Sequence, residues 1–172
     1  MLRGINLGPT RRMPMAELRQ LLADAGYDDV QTYVQSGNIA FTSETQPAEL
    51  ERELAALLER RFGFAVPVIV RDRAQLEAVV ALNPLGDVAD NPKRYQVSFL
   101  SEELAPETVA RLQTIAQEPE RLAVHGREIY AWHPDGVARS KLWNALAGDG
   151  LGVTATARNW TTVCKLLEMA GG

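Results

Sequence analysis

Apolar positions along the chain fall into short runs whose spacing changes repeatedly, and each change marks an element. Met1–Leu7 is a compact apolar run, so a strand is expected from the first residue. Pro14 suits the first turn of a helix, and Met15, Leu18, Leu21, Leu22 and Ala25 follow at helical spacing up to Gly26. Val30–Gln35 is β-branched and alternating, Ser36-Gly37-Asn38 is turn chemistry, and Ile39–Thr42 resumes, which predicts a hairpin. Pro47 opens a second helix with the stripe Leu50, Leu54, Leu57, Leu58 and Phe62, closed by Gly63, and Val66–Val70 reads as a strand. This β-α-β-β-α-β order predicts a ferredoxin-like antiparallel sheet with both helices on one face.

The pattern then repeats in weaker form. Asp72-Arg-Ala-Gln75 has the form of a capping box and starts a short helix through Val80. Asn83 to Arg94, rich in Asn, Pro, Gly and Asp, is the expected linker. Tyr95–Leu100 reads as a strand and Pro106–Gln117 as a helix with Val109, Leu112 and Ile115 inward. Arg121–Val124 and Glu128–Trp132 form strands joined through His125-Gly126-Arg127. A helix over Ser140–Ala147, a glycine-rich stretch Gly148–Gly152, a brief extended piece and a final helix over Arg158–Ala170 complete the chain. The predicted class is α+β. Two ferredoxin-like subdomains with antiparallel sheets are expected, residues 1–82 and 95–172, joined by a linker at 83–94 and ending in a C-terminal helix.

Composition narrows the setting. A chain of 172 residues with 46% hydrophobic and 23% charged residues has the balance of a folded globular protein, which argues against disorder. No apolar run approaches the ~20 residues of a membrane span, and no charged-then-apolar leader precedes the first strand. A lone cysteine, Cys164, excludes an intramolecular disulfide. A cytoplasmic protein of bacterial type, not associated with membranes, is expected.

The net charge of −4 conceals an uneven distribution. Residues 1–22 carry Arg3, Arg11, Arg12 and Arg19 against Glu17, and residues 138–166 carry Arg139, Lys141, Arg158 and Lys165 against Asp149. Two basic ends on an acidic body would draw an anion to the place where they meet.

The candidate chemistry follows that charge. On the expected last helix Trp160, Val163, Cys164 and Leu167 share one side, and Arg158, Thr162 and Lys165 the other. An arginine in the first turn opposes the helix dipole by about 0.3–1 kcal/mol, so it calls for a compensating anion, with Thr156 and Asn159 beside it. Arg139-Ser140-Lys141 repeats the design, a good N-cap flanked by cations. Gln35-Ser36-Gly37-Asn38 offers amides and a hydroxyl around a glycine. Gly4, Asn6, Gly8, Arg11 and Arg12 resemble a phosphate loop only loosely, because neither GxGxxG nor GxxxxGK[ST] is present. The expected site is a basic cleft between the subdomains for a small phosphate- or carboxylate-bearing ligand. Arg3, Asn6, Gln35, Ser36 and Asn38 would line one side, and Arg139, Lys141, Arg158, Asn159 and Lys165 the other. Each group also has a bland reading: a solvated helix face, a capped helix, an ordinary turn.

Conventional catalysis finds little support. His125 and His133 lack metal-ligand spacing, Cys164 falls on an apolar face, and the carboxylates are scattered over helix surfaces. No metal, cofactor or acid–base pair is expected, and no reaction is assigned. Two alternatives stand beside ligand binding. A nucleic-acid binder would use Tyr33 and Phe41 on a sheet, but a pI near 5.3 and the lack of aromatic-rich motifs disfavour it. A protein-interaction or oligomerisation module without catalysis is the other.

Several motifs together resemble one family. Leu2-Arg-Gly-Ile-Asn-Leu-Gly, Met13-Pro-Met-Ala-Glu-Leu and Thr32-Tyr-Val-Gln-Ser-Gly-Asn-Ile-Ala-Phe are similar to the opening of the bacterial domain of unknown function 1697 family. Arg139-Ser-Lys-Leu and Thr156-Ala-Arg-Asn-Trp-Thr-Thr-Val-Cys-Lys-Leu resemble its closing motif. The resemblance implies an α+β fold of two ferredoxin-like subdomains and supplies no activity, substrate or cofactor. Family members carry several apolar residues before the Arg-Gly-Ile-Asn motif, where this chain has Met1 and Leu2, so a shortened first strand is expected.

Overall fold

The computed structural model describes residues 1–147 and 150–171, so Gly148 and Asp149 of the glycine-rich stretch and Gly172 lie outside the described residues. The chain forms two compact units, Met1–Leu76 with Leu166–Gly172, and Glu77–Lys165. The fold is mixed α+β, with two antiparallel sheets.

In the first unit, α1 spans Met15–Asp24 with Pro14 just before it, and its buried stripe is Met15, Leu18 and Leu22. β1 (Asp28–Tyr33) and β2 (Asn38–Thr42) pair antiparallel, with Thr32 opposite Ile39 and Tyr33 opposite Asn38. α2 spans Pro47–Phe62, with its proline where a missing N–H is harmless and Gly63 as a left-handed cap at φ 77°. Leu50, Leu54 and Leu58 are its buried face. Those leucines join Leu2, Ile5, Met13 and Val66 in one core, and each such burial contributes about 1.5–3 kcal/mol.

The first expected strand is much shorter than its apolar run. Met1–Leu7 and Val66–Val70 meet through a single antiparallel bridge, Leu2 to Val68. Gly4 at φ 67° and Asn6 at φ 55° turn the chain away from extended geometry immediately afterwards. Ile5 nevertheless stays buried at 3% exposure, held by packing instead of pairing.

α3 (Arg73–Leu82) opens on the expected capping box. The Gln75 N–H donates to Asp72 Oδ1 at 2.8 Å, and the Asp72 N–H donates to Gln75 Oε1 at 3.0 Å. In the second unit β3 (Tyr95–Leu100) is central, α4 spans Pro106–Ile115, and β4 (Arg121–His125) and β5 (Glu128–Trp132) form the expected hairpin. α5 (Lys141–Ala147) follows. The brief extended piece is a full strand, β6 (Ala155–Asn159), and the sheet order is β4-β5-β3-β6. β3, flanked on both edges, has five of its six residues buried, as a central strand should.

The last helix, α6, spans Trp160–Met169 and not the Arg158–Ala170 of the sequence reading. Arg158 lies in β6 opposite Val97 of β3, because ladder pairing claims the residues up to Asn159. The inward positions of α6 are Thr162, Val163 and Leu166, which rotates the expected apolar face away from Trp160, Cys164 and Leu167. Among the described residues no helix is long and apolar enough to cross a membrane.

Candidate functional site

Four of the five candidates in the first unit converge, in a network that ties the opening loop to the hairpin turn. Asn6 Nδ2 donates to the Met13 carbonyl at 3.0 Å and to the Gln35 carbonyl at 2.8 Å, while its Oδ1 accepts from the Met13 N–H at 2.9 Å. Asn38 is wholly buried, and its Nδ2 donates to the Tyr33 carbonyl and to Ser36 Oγ at 3.1 and 3.0 Å. Asn6 and Asn38 are therefore spent on backbone and turn, which is the bland reading of that motif. Gln35 enters through its carbonyl and has an exposed side chain. Arg3 donates its backbone N–H to the Pro67 carbonyl. Arg11, expected in a basic loop, reaches the Ala65 carbonyl and lies over the Phe64 ring at 5.3 Å.

Beside this network lies a cavity of about 670 Å³, a volume typical of small-ligand sites. Its lining runs along Ile39–Thr42 on one side and Val70–Arg73 on another, with leucines of α2 also exposed to it. No local pattern signals it, because it depends on how far β2 is held from a segment about thirty residues later in the chain.

In the second unit, Arg158 is a buried cation at 8% exposure. Its Nη1 donates to Thr156 Oγ1 at 2.8 Å and to the Ala157 carbonyl at 2.7 Å. Burial pulls the guanidinium down to about 10, so it stays charged at neutral pH and bears a desolvation penalty. The helix-dipole argument for Arg158 fails because the residue precedes the helix. The cap is Asn159, whose Oδ1 accepts from the Thr162 N–H at 2.9 Å. An asparagine followed by an apolar helical stripe was the signal for a start at Trp160. Lys165 lies on α6 and is half-buried, whereas Arg139 and Lys141 are exposed on either side of buried Ser140.

Sequence reasoning missed the densest polar cluster of this unit. His133 Nδ1 lies 2.6 Å from Glu120 Oε1 and 3.3 Å from Ser140 Oγ, and the same hydroxyl accepts from the Trp143 N–H at 2.8 Å to cap α5. Register explains the pairing: Arg121 faces Trp132, so the next positions outward are Glu120 and His133. Counting outward from His125-Gly126-Arg127 would have found it. The cluster is not a nucleophilic triad. A triad sets its acid and its hydroxyl on opposite imidazole nitrogens, whereas here both meet Nδ1, and Nε2 is buried with no hydrogen-bond partner among the described residues. His133 is fully buried, with Trp143 edge-on at 5.9 Å. It joins strand end to helix start.

Nearby, Tyr95 stacks on Trp160 at 4.8 Å. Burial pushes the Tyr95 phenol up to about 12, partly offset by the Leu85 backbone, although among the described residues its hydroxyl has no partner at hydrogen-bond geometry. Burial, then the Glu128 carboxylate, raises Tyr130. Among the described residues no group of three or more His, Cys, Asp or Glu side chains is arranged to hold a metal ion.

A family model described as protein of unknown function, DUF1697, matches residues 1–130. Among solved structures, the conserved bacterial protein SP0830 from Streptococcus pneumoniae is similar at 25% identity and a TM-score of 0.77. The match covers 99% of this chain and 96% of that one. No curated protein matches the sequence.

Proposed function

The chain belongs to the DUF1697 family of proteins of unknown function, and we propose that it binds a small phosphate- or carboxylate-bearing ligand through Arg158. The observation that carries this reading is a guanidinium at 8% exposure held toward Thr156 by a 2.8 Å hydrogen bond. A guanidinium meets a phosphate or carboxylate through charge-assisted hydrogen bonds, which are about twice as strong as neutral ones. Thr156 supplies a hydroxyl, and Asn159 and Lys165 extend the polar character along the start of α6. Arg139 and Lys141, at the other basic turn, are exposed and serve as steering charges. Asn6 and Asn38 contribute to the fold of their loop and not to the ligand. We also assign both units the ferredoxin-like β-α-β-β-α-β plan. In the second unit the sheet order β4-β5-β3-β6, with the first strand of the repeat inside, supports it.

A thermal-shift screen against sugar phosphates, nucleotides and organic acids tests the reading. A ligand at a hundred times its Kd adds about 2.7 kcal/mol. The shift should vanish in Arg158→Gln, each protein being compared with its own unliganded form. A screen without hits, or a hit that survives Arg158→Gln, refutes it. β2, paired with β1 alone among the described residues, favours a second role, as an interaction module.

A further inference from the structure

We propose that β4 is a dimerisation edge, along which two copies of this chain pair antiparallel about Ala123 and join their four-stranded sheets into one. The inference is independent of anion binding at Arg158.

Hydrogen-bond alternation fixes which groups of β4 point outward. On β5 side, the Arg127 carbonyl accepts from Leu100 N–H, and His133 N–H donates to the Arg94 carbonyl, so odd-numbered positions face β3. Glu128, Tyr130 and Trp132 therefore face β4, where they meet His125, Ala123 and Arg121. That leaves the N–H and C=O of Leu122 and Val124 on the outer side. Among the described residues β4 pairs with β5 alone.

The other end of the sheet is built differently. By the same alternation Ala157 faces outward in β6, and its carbonyl accepts from Arg158 Nη1 at 2.7 Å. α6 begins directly after Asn159 and ends that edge. On β4 a comparable contact marks only the start, where Arg121 Nη1 donates to the Glu120 carbonyl at 3.0 Å. Beyond it, Leu122-Ala123-Val124 carries no charge and no proline, and its register with β5 has no bulge. Those are the usual devices that keep a sheet edge from pairing.

The edge matches itself. Centred on Ala123, an antiparallel pair sets Leu122 opposite Val124 of the partner subunit, and each such pair exchanges two backbone bonds. All the outward groups of both strands are then used. A pair centred on Leu122 would bring the capped Glu120 carbonyl into the ladder, and one centred on Val124 would run into the turn at Gly126. Ala123 meets Ala123 of the partner subunit at a non-hydrogen-bonded position, where Cα atoms approach to about 4.5 Å and a small side chain fits. Leu122 and Val124 pack against the core yet stay only partly buried, and the partner strand covers them. The contact is isologous, so it closes at two copies. This self-complementarity selects a second copy over an unrelated strand.

Sedimentation equilibrium of the full chain between about 10 μM and about 1 mM should show a monomer–dimer equilibrium. Val124→Pro removes an outward N–H and no bond of the β4–β5 ladder, so it should leave a folded monomer with amide protection of β3 and β5 retained. In a Cys164→Ala background, Ala123→Cys treated with oxidised glutathione should form a disulfide-linked dimer. Arg121→Cys and His125→Cys should crosslink about tenfold less or worse, because each faces the other position and not its own copy, beyond disulfide reach. If Val124→Pro unfolds, the crosslinking pattern decides. A chain that stays monomeric and shows no selective crosslink overturns the proposal. So does equal crosslinking at all three positions, which marks random collision. A dimer that persists in folded Val124→Pro places the interface elsewhere and overturns it too.

Discussion

Replacing Gly37 by alanine perturbs the contact between the hairpin and the opening segment, and Gly63 provides a matched control. Both glycines have φ of +77°. A Cβ at Gly63 meets nothing within 4 Å, whereas one at Gly37 stands 2.7 Å from Leu2 Cβ and 2.9 Å from Ile5 Cδ1. Left-handed backbone with a side chain costs about 1–2 kcal/mol, which is the whole effect expected for Gly63→Ala. At Gly37 an overpacking term of about 1–3 kcal/mol adds to it, for a total of about 2–5. The clash involves Cβ against Cβ, so no rotamer change relieves it, and the backbone must move. Leu2 is 1% exposed, and its N–H bonds to the Gly37 carbonyl, so the hairpin and the N-terminal segment must separate together. Urea unfolding of both variants gives the free energies, and amide exchange at Leu2 shows whether that bond opens locally. If the two variants agree within about 0.5 kcal/mol, the limit of additivity between independent sites, the packing argument is wrong.

Other outcomes follow from the polar network. Ser140→Ala removes the cap of α5 and one partner of His133, so urea unfolding should show a loss of about 0.5–2 kcal/mol. A change inside the ±0.5 kcal/mol range of ordinary surface substitutions contradicts it. Asn6→Ala leaves the Met13 N–H without its acceptor and strains a residue at φ 55°, so it should lower stability by about 1–3 kcal/mol and leave the affinity of any bound anion unchanged. A lost ligand with intact stability reverses that assignment. Alkaline titration followed by phenolate absorbance should place Tyr95 near 12. Because the folded value lies above the unfolded one, its contribution to stability is complete below pH ~10 and is lost as pH rises toward 12; a Tyr95→Phe variant with an unchanged alkaline unfolding profile refutes this.

Much of the architecture was legible from residue order because it rests on local chemistry. Pro47 and Gly63 bracket α2, Asp72 and Gln75 cap α3 reciprocally, and the two hairpins turn where Gly37 and Gly126 allow positive φ. Glu120 opposite His133 was also within reach, since antiparallel register from a known turn fixes every later pair. The end of β6 was harder. Arg158 and its neighbours carry little strand propensity, and what makes them a strand is β3 alongside.

The sequence by itself determined where α2 begins and ends, where α3 begins, which residues turn the chain, and that the fold is α+β, because caps, prolines and glycines act within a few residues. The tertiary structure alone decided that Arg158 is buried, that Asn6 and Asn38 are consumed by the backbone and the turn, and that a cavity borders β2. Those outcomes depend on contacts between segments tens of residues apart, such as Met1 with Ile69, whose formation is set by the whole core and not by any local pattern.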